Sequence, residues 1–360
     1  MLGVSINNQI FSVLTAKIVA CPIPTTPKLL IRSTPKTNVR TTENMLSYRH
    51  AFHAGNHADV LKHFLLVELI RYFSQKETPF WVVDTHAGAG LYALDIGYAT
   101  KLSEHVDGIG RLWIRKDLPA PLADYVDLVR ELNPDGKLRA YPGSPWIAQR
   151  LLRPQDRLRL FELHSSDSAL LQDNFRALGS AAQRRTIVAP TDGYAGLKAV
   201  LPPLPRRGLT LIDPSFEDKG DYSAVVIALK DALSRFATGT YMLWYPQLSR
   251  ADSQRLPTTL KTLPAKSWLH VALSVNAPAE DGFGMRGSGL FILNPPWTLH
   301  KTLQEVMPYL VKVLGRDAAA GFVLEQRENL MVAASANGKP RSLSELDPAS
   351  MLRAKNRKLK

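Results

Sequence analysis

The sequence contains one cysteine, Cys21, among 360 residues, which excludes a disulfide framework and a cysteine-rich zinc module. It also lacks any run of about 18 apolar residues without a charge, the minimum for a membrane-spanning helix. Hydrophobic residues nevertheless make up 45% of the chain, enough to build a core. We therefore expect a cytoplasmic protein that does not enter a membrane.

Acidic residues are scarce at both ends of the chain. Residues 1–44 contain five Lys/Arg and one acid, and residues 331–360 contain seven Lys/Arg and two acids. The ends therefore supply most of the formal net charge of +13. Such an excess favours a polyanionic partner, but its location means that total charge does not establish nucleic-acid binding by the folded part.

The composition predicts three segments. Residues 1–44 are rich in Thr, Ser and Pro and lack the basic start and unbroken apolar run of a secretory signal. A transit peptide is the alternative, because this segment is basic and acid-poor. We interpret residues 1–44 as a disordered extension, residues 45–330 as the folded domain, and residues 331–360 as a basic mobile tail.

Short apolar runs alternate with amphipathic helical segments through the folded part. This alternation predicts an α/β fold with a largely parallel sheet covered on both faces. The interval between Gly90 and Glu162 is longer than one helix requires, and we expect an inserted helical piece at about 96–140. The predicted strands lie within residues 79–86, 158–164, 186–190, 209–214, 241–246 and 289–296.

The first strand ends in Asp84 and is followed by Gly88 and Gly90. No Gly-Lys-Ser/Thr follows, so a phosphate loop fits poorly, and Gly-x-Gly-x-x-Gly of a nicotinamide site is absent. An S-adenosylmethionine site fits better, because that cofactor carries no phosphate and has an ammonium that Asp84 is placed to approach. A sharp strand-to-helix turn without a ligand is the alternative.

Two further acids follow the next two predicted strands. Glu162 is suited to accept hydrogen bonds from a ribose diol, and Asp192 from an adenine amino group. Each alone is equally explained as a surface acid or a turn residue. Because the carboxyl ends of parallel strands share one edge, the three acids together favour a ligand site.

The fourth predicted strand ends in Asp213-Pro214-Ser215-Phe216, the candidate catalytic segment. An exocyclic amine is a weak nucleophile, and Asp213 and the Pro214 carbonyl are suited to hold its two N–H groups. Phe216 offers a ring on which a flipped base can stack. An ordinary strand-to-loop transition is the alternative, and Asn294-Pro295-Pro296-Trp297 ranks second because its strand comes late.

Four histidines lie within residues 47–63, where His53 and His57 have a metal-like spacing. Asn56 between them is typical of a helix N-cap, and no nearby Cys or Glu completes a metal site. We therefore predict no metal. We interpret this segment as a loop that packs over the cofactor, with Tyr48, His50 and Lys62 facing an anionic substrate.

Several long blocks resemble the RlmJ family of 23S rRNA adenine-N6 methyltransferases. The resemblance covers about 45–325 and implies a Rossmann-like class I S-adenosylmethionine-dependent methyltransferase domain with a helical insertion. The blocks include MLSYRHAFHAGNHADVLKH (45–63), VDTHAGAGLY (83–92), YPGSPWIAQRLLR (141–153), ELHSSD (162–167) and SGLFILNPPW (288–297).

The resemblance also implies roles for particular residues. Asp213 engages the substrate amine and Tyr48 interacts with RNA. The implied product is N6-methyladenosine at adenine 2030 of 23S rRNA, made on protein-free or early-assembly rRNA by a monomer without an obligate protein partner. The implied cofactor contacts are His63, His86, Ser144, Glu162, Asp192, Gly193 and Asp213.

The family reads Asp-Pro-Pro-Tyr where this chain reads Asp-Pro-Ser-Phe. Asp213 and Pro214 are retained, and Phe216 loses only a hydroxyl group. Two alternatives therefore stay open beside an active rRNA methyltransferase: a DNA adenine-N6 methyltransferase, and an RNA-binding homologue with impaired catalysis.

Overall fold

The computed structural model describes residues 50–96, 99–279 and 284–327. The predictions for residues 1–44, for residues 331–360 and for Tyr48 lie outside these ranges. Within them, no helix is both long enough and apolar enough to cross a membrane.

One eight-stranded sheet forms the centre of the described structure, with strand order β10-β8-β9-β7-β6-β1-β4-β5. The pairs β7–β6, β6–β1, β1–β4 and β4–β5 are parallel, whereas β9 and its neighbours are antiparallel. A separate β2–β3 pair is antiparallel. The strands are β1 Trp81–Asp84, β2 Leu91–Ala93, β3 Ala140–Pro142, β4 Arg157–Phe161, β5 Thr186–Ala189, β6 Gly208–Ile212, β7 Thr240–Gln247, β8 Trp268–Ser274, β9 Gly287–Leu293 and β10 Gly321–Arg327.

Helices cover both faces of this sheet. Buried side chains of α1, α4, α5 and α11 pack on one face, and those of α8, α9 and α10 pack on the other. The prediction of a Rossmann-like α/β fold is therefore confirmed. The helices are α1 His57–Ser74, α2 Ala99–Leu102, α3 Ile109–Trp113, α4 Ala120–Glu131, α5 Ser144–Leu151, α6 Ser165–Ala177, α7 Ser180–Arg185, α8 Gly193–Val200, α9 Gly220–Arg235, α10 Ala251–Leu260 and α11 Leu299–Leu314, with 3₁₀ turns at His50–Phe52 and Glu104–Asp107.

The connection between β2 and β3 contains α2, α3 and α4, in the region where the sequence predicts an inserted helical piece. Its backbone lies directly against the histidine-rich segment. The Ile109 N–H donates to the Gly55 carbonyl at 2.8 Å, and a Cβ on Gly108 would lie 2.1 Å from that oxygen. Only glycine allows this approach, so the insertion fixes the position of the segment that precedes α1.

Asn56 caps the amino end of α1, as the sequence predicts. Its side-chain oxygen accepts the backbone N–H groups of Ala58 and Asp59 at 2.9 and 3.0 Å. These groups have no partner within the helix, and the cap satisfies both. The cap therefore fixes the amino-terminal end of α1, whose first two turns carry Asp59 and Lys62.

Candidate active site

A cavity of about 490 Å³ lies at the carboxyl ends of the parallel strands. It has the size and position expected for a ligand site in an open α/β sheet. Tyr48 lies outside the described residues, and every other predicted site residue except Asp84 lines this one cavity. They are His50, Lys62, His63, His86, Ser144, Glu162, Asp192, Gly193, Asp213, Pro214 and Phe216.

The glycine loop after β1 forms one wall of the cavity. Gly88 and Gly90 have φ angles of +61° and +77°, which favour glycine. The Gly88 N–H donates to Oε2 of Glu162 at 2.7 Å, and the His164 N–H donates to Oε1 at 2.7 Å. Two backbone amides thus fix the carboxylate at the end of β4, while burial raises the pKa of Glu162.

Asp84 does not line the cavity, contrary to the expectation that it approaches a ligand ammonium directly. Its side chain is 2% exposed, and burial raises the pKa of Asp84 to about 7. Oδ2 accepts the Ser144 hydroxyl at 2.7 Å, and Oδ1 accepts the His86 N–H at 3.2 Å. Asp84 thus lies behind the wall and orients Ser144, which does face the cavity.

The loop between β5 and α8 contributes the opposite wall. Asp192 is exposed and caps α8, because its Oδ1 accepts the Ala195 N–H at 2.8 Å. A Cβ on Gly193 would lie 1.9 Å from the Thr85 carbonyl oxygen, so glycine is required for close packing. The His86 ring meets the Tyr194 ring edge-on at 5.3 Å, and burial lowers the pKa of His86 to about 4.

A buried ion pair forms the floor of the cavity beside the candidate catalytic segment. The Lys62 ammonium donates to Oδ2 of Asp213 at 2.6 Å and lies 2.9 Å from Oδ1 of Asp59. Burial opposes the charge on Lys62, but these two carboxylates raise the pKa of Lys62 well above its ordinary value. Lys62 therefore carries its charge throughout the physiological range.

The Asp213 carboxylate keeps one oxygen for a ligand. Burial raises the pKa of Asp213, and the adjacent Lys62 charge opposes this rise. Within the described part of the chain, neither Oδ1 of Asp213 nor the Pro214 carbonyl accepts a hydrogen bond. These two acceptors follow β6 side by side and line the cavity.

Asp59 is a site residue that the sequence reasoning missed. It is 1% exposed, and its Oδ2 lies 2.9 Å from His50 Nε2 and accepts the Gly55 N–H at 2.8 Å. Burial opposes its ionisation, yet the charges of His50 and Lys62 hold the pKa of Asp59 well below its ordinary range. The signal available in the sequence was its i, i+3 spacing to Lys62.

His63 lies deeper in the same wall. Its Nδ1 is 2.8 Å from the Tyr141 hydroxyl, which is 2.8 Å from the Tyr125 hydroxyl. Burial lowers the pKa of His63 to about 3, so the ring is neutral. His63 therefore offers a neutral hydrogen-bonding ring instead of a charge.

Phe216 lines the cavity but belongs mainly to the core. The residue is 2% exposed, has a φ of +55°, and packs against Tyr222 and Trp244 at ring distances of 4.8 and 6.1 Å. Trp244 is only partly buried and also lines the cavity, with its ring 5.9 Å from the Lys62 ammonium. Base stacking on Phe216 stays a prediction.

The competing Asn294-Pro295-Pro296-Trp297 segment lies at the opposite edge of the sheet. It follows β9, which runs antiparallel to β7, so Asn294 sits beside Thr240 at the amino end of β7. Its side-chain amide donates to the carbonyls of Ala237 and Gly239 at 2.9 and 2.8 Å. Asn294 therefore holds a turn together and is remote from Asp213.

The histidine segment does not form a metal site in the described structure. His53 Nδ1 lies 3.1 Å from both carboxylate oxygens of Glu104, which also accepts the Asn56 side-chain amide at 2.9 Å. No group of three or more metal-ligating side chains occurs among the described residues. His53 instead joins the rim of the cavity to the helical insertion.

Comparisons with known proteins show the family to which the chain is similar. A family model described as ribosomal RNA large subunit methyltransferase D, RlmJ, matches residues 77–325. Two relatives are named ribosomal RNA large subunit methyltransferase J. The Haemophilus influenzae protein is 45% identical over 282 residues, covering 78% of this chain and 98% of the relative. The Escherichia coli K12 protein is 47% identical over 266 residues, covering 74% and 93%.

A solved structure has the same fold. The crystal structure of a Legionella pneumophila str. Philadelphia 1 protein shares 35% identity with this chain and superimposes with a TM-score of 0.69. The match covers 76% of this chain and 98% of the Legionella chain. The matched part of this chain therefore corresponds to nearly the whole of the Legionella chain.

Proposed function

This chain belongs to the RlmJ family of ribosomal RNA large subunit methyltransferases, and from that premise we propose that it methylates the N6 amine of an adenosine in 23S rRNA. The proposed target is adenine 2030 on protein-free or early-assembly rRNA. The observation that carries the proposal is the pair of open acceptors, Asp213 Oδ1 and the Pro214 carbonyl, at the floor of the cavity.

The cavity fits S-adenosylmethionine. Gly193 packs too closely on Thr85 for any side chain, so the backbone of this loop lies directly against the end of β1 and lines the cavity where a flat nucleoside would bind. Glu162 presents a fixed carboxylate for ribose hydroxyls, and Asp192 lies at the same edge for the adenine amine. Ser144, His63 and His86 would complete the contacts to the amino-acid end and the base.

When bound, S-adenosylmethionine supplies an electrophilic methyl group. The protein must present an amine whose lone pair is delocalised into its ring and is a poor nucleophile. Asp213 and the Pro214 carbonyl would each accept one N–H of that amine, which orients its lone pair toward the methyl group. The Lys62 ammonium keeps Asp213 ionised, so this carboxylate accepts and does not donate.

The test measures transfer of labelled methyl from S-adenosylmethionine to protein-free 23S rRNA, with duplex DNA as a competing substrate. Label should appear in rRNA as N6-methyladenosine. Asp213→Ala should reduce transfer by about 10²–10⁴-fold, because the amine loses its orienting acceptor. Asp127→Ala, on the exposed surface of α4, should leave transfer unchanged.

Two outcomes would contradict the proposal. A preference for duplex DNA would make the chain a DNA adenine-N6 methyltransferase. Cofactor binding without transfer to either polymer would favour an RNA-binding homologue with impaired catalysis.

A further inference from the structure

Asp59 connects the polar groups along one wall of the site. Its Oδ1 binds the Lys62 ammonium at 2.9 Å, and its Oδ2 binds the Gly55 N–H and lies 2.9 Å from His50 Nε2. Lys62 in turn donates to Asp213 at 2.6 Å. The Lys62 ammonium therefore links the carboxylate that would orient the substrate amine, that of Asp213, to a second carboxylate, that of Asp59.

We propose that Asp59 is a positioning residue for methyl transfer: it fixes the Lys62 ammonium against Oδ2 of Asp213 and so reserves Oδ1 for the substrate amine. This inference rests on the proposed function, because it assigns Asp213 the role given there.

The argument depends on the flexibility of lysine. A lysine side chain has a flexible four-carbon stem and loses much conformational entropy when its ammonium is held in one position. One hydrogen bond to Asp213 would define the position of the nitrogen poorly, whereas contacts with two carboxylates define it well. Asp59 is itself fixed, because it lies on the capped first turn of α1 and is 1% exposed.

The same contacts give a pH signature. The charged or titratable groups that face Asp213 are Lys62, Asp59, His50 and Asp84. Burial raises the pKa of Asp213, Lys62 and His50 lower it, and the Asp59 charge raises it. Removing the Asp59 charge should therefore lower the pKa of Asp213 and move the acid limb of the pH–rate profile to lower pH.

The experiment compares Asp59→Asn and Asp59→Glu in the full chain. Asp59→Asn should reduce kcat about tenfold or more, because Lys62 loses its second anchor, while the KM for S-adenosylmethionine changes less than about threefold. Its acid limb should move to lower pH. Asp59→Glu keeps the charge, so its acid limb should stay at the wild-type pH.

The matched control is Asp156→Asn, another fully buried aspartate. Asp156 accepts the Phe80 N–H at 3.1 Å and pairs with Arg153, and it does not line the cavity. This variant should lose stability while keeping the wild-type pH profile. If Asp59→Asn lowers only the melting temperature, as the control does, the positioning role is refuted.

A second readout does not require activity. Carbon-13 labelling of aspartate allows the Asp213 carboxyl to be titrated by NMR in each variant, with Asp213→Ala to assign the signal. A lower midpoint in Asp59→Asn supports the inference even if the methylated polymer is not rRNA. An unchanged midpoint overturns it even if wild-type protein methylates rRNA.

Discussion

Ser215 is the residue at which the chain departs from the family motif. Its backbone N–H donates no hydrogen bond within the described part of the chain, so a proline there removes none. We expect Ser215→Pro to keep or raise kcat. It should also stabilise the fold by about 0.4–1 kcal/mol, because proline lowers the conformational entropy of the unfolded chain. The measurements are kcat on rRNA and the free energy of unfolding.

Ser215→Ala separates the two changes that proline makes. It removes the hydroxyl, which accepts only a long 3.4 Å bond from the Glu217 N–H, and it adds no ring. A large loss of kcat in the proline variant alone would show that this turn needs its present backbone.

A second prediction at the scale of single residues concerns Gly193. Because a Cβ would lie 1.9 Å from the Thr85 carbonyl, Gly193→Ala should push α8 away from β1. We expect at least a tenfold loss of S-adenosylmethionine affinity, measured by calorimetry, together with a lower melting temperature. Gly321→Ala is the control, since its nearest neighbour would be 4.0 Å away, and affinity there should be unchanged. Equal affinities in both variants would refute this account of Gly193.

Sequence reasoning predicted the shared location of acidic residues that end or follow a strand. Glu162, Asp192 and Asp213 each end or follow a strand, and the parallel order brings them to one cavity. It misplaced Asp84, because local sequence does not show that Ser144 of α5 would pack in front of it. Asp59 was missed although its partners His50, Gly55 and Lys62 are close in sequence, because the pattern does not show that they converge on its carboxylate after folding.

Among the elements, the helical insertion is tied to the rim of the cavity by a titratable pair. The hydrogen bond to Glu104 raises the pKa of His53 although burial opposes it, and Asp59 and Glu217 add to the rise. Hydrogen bonds from His53 and Asn56 lower the pKa of Glu104 against the effect of burial. The two side chains therefore attract each other as ions between these pKa values.

This pair predicts pH-dependent docking of the insertion. The stabilisation from a raised histidine pKa is full below the ordinary value of 6.5 and is lost as pH rises through the raised pKa of His53. Amide hydrogen exchange, corrected for intrinsic rates, should show weaker protection of α2 and α3 at about pH 8.5 than at about pH 6. Glu104→Gln should lower protection at pH 6 and remove the pH difference.

Glu131→Gln provides the matched control for that experiment. Glu131 belongs to the same insertion and pairs with Arg150 at 2.6 Å, but an arginine does not titrate in this range. The pH difference should therefore persist in this variant. If Glu104→Gln also kept the difference, the His53–Glu104 pair would not be its cause.

Element order was largely predictable, and the packing of one element on another was not. Continuous apolar runs such as residues 209–214 indicate buried parallel strands, and β6 is buried at all five positions. The location of the Asn294 segment could not be predicted without knowing that β9 pairs antiparallel with β7. Because of this pairing, β9 ends at the side of the sheet where β7 begins. A strand's direction depends on the sheet around it, so its own residues do not encode it.

At the scale of the whole molecule, most of the net positive charge and the candidate catalytic residues lie in different parts of the chain. The described walls of the cavity include several carboxylates, among them Asp59, Glu162, Asp192 and Asp213. The two ends, in contrast, contain twelve of the 45 Lys/Arg and three of the 32 acids. We therefore predict that the basic ends contribute to affinity for a polyanion, whereas residues of the folded domain select the reacting amine.

This division predicts the effect of neutralising the tail. Replacing the seven Lys/Arg of residues 331–360 with Gln should weaken rRNA binding at low salt, because fewer counterions are released from the RNA. The plot of log K against log salt should flatten by about 0.7 for each phosphate of single-stranded RNA that the tail no longer neutralises. At saturating rRNA, kcat should stay at the wild-type value, since Asp213 and Lys62 are unchanged. Replacing the five Lys/Arg of residues 1–44 is the matched comparison: equal flattening would mean that only total charge matters, and an unchanged slope in the tail variant would place phosphate binding on the folded domain.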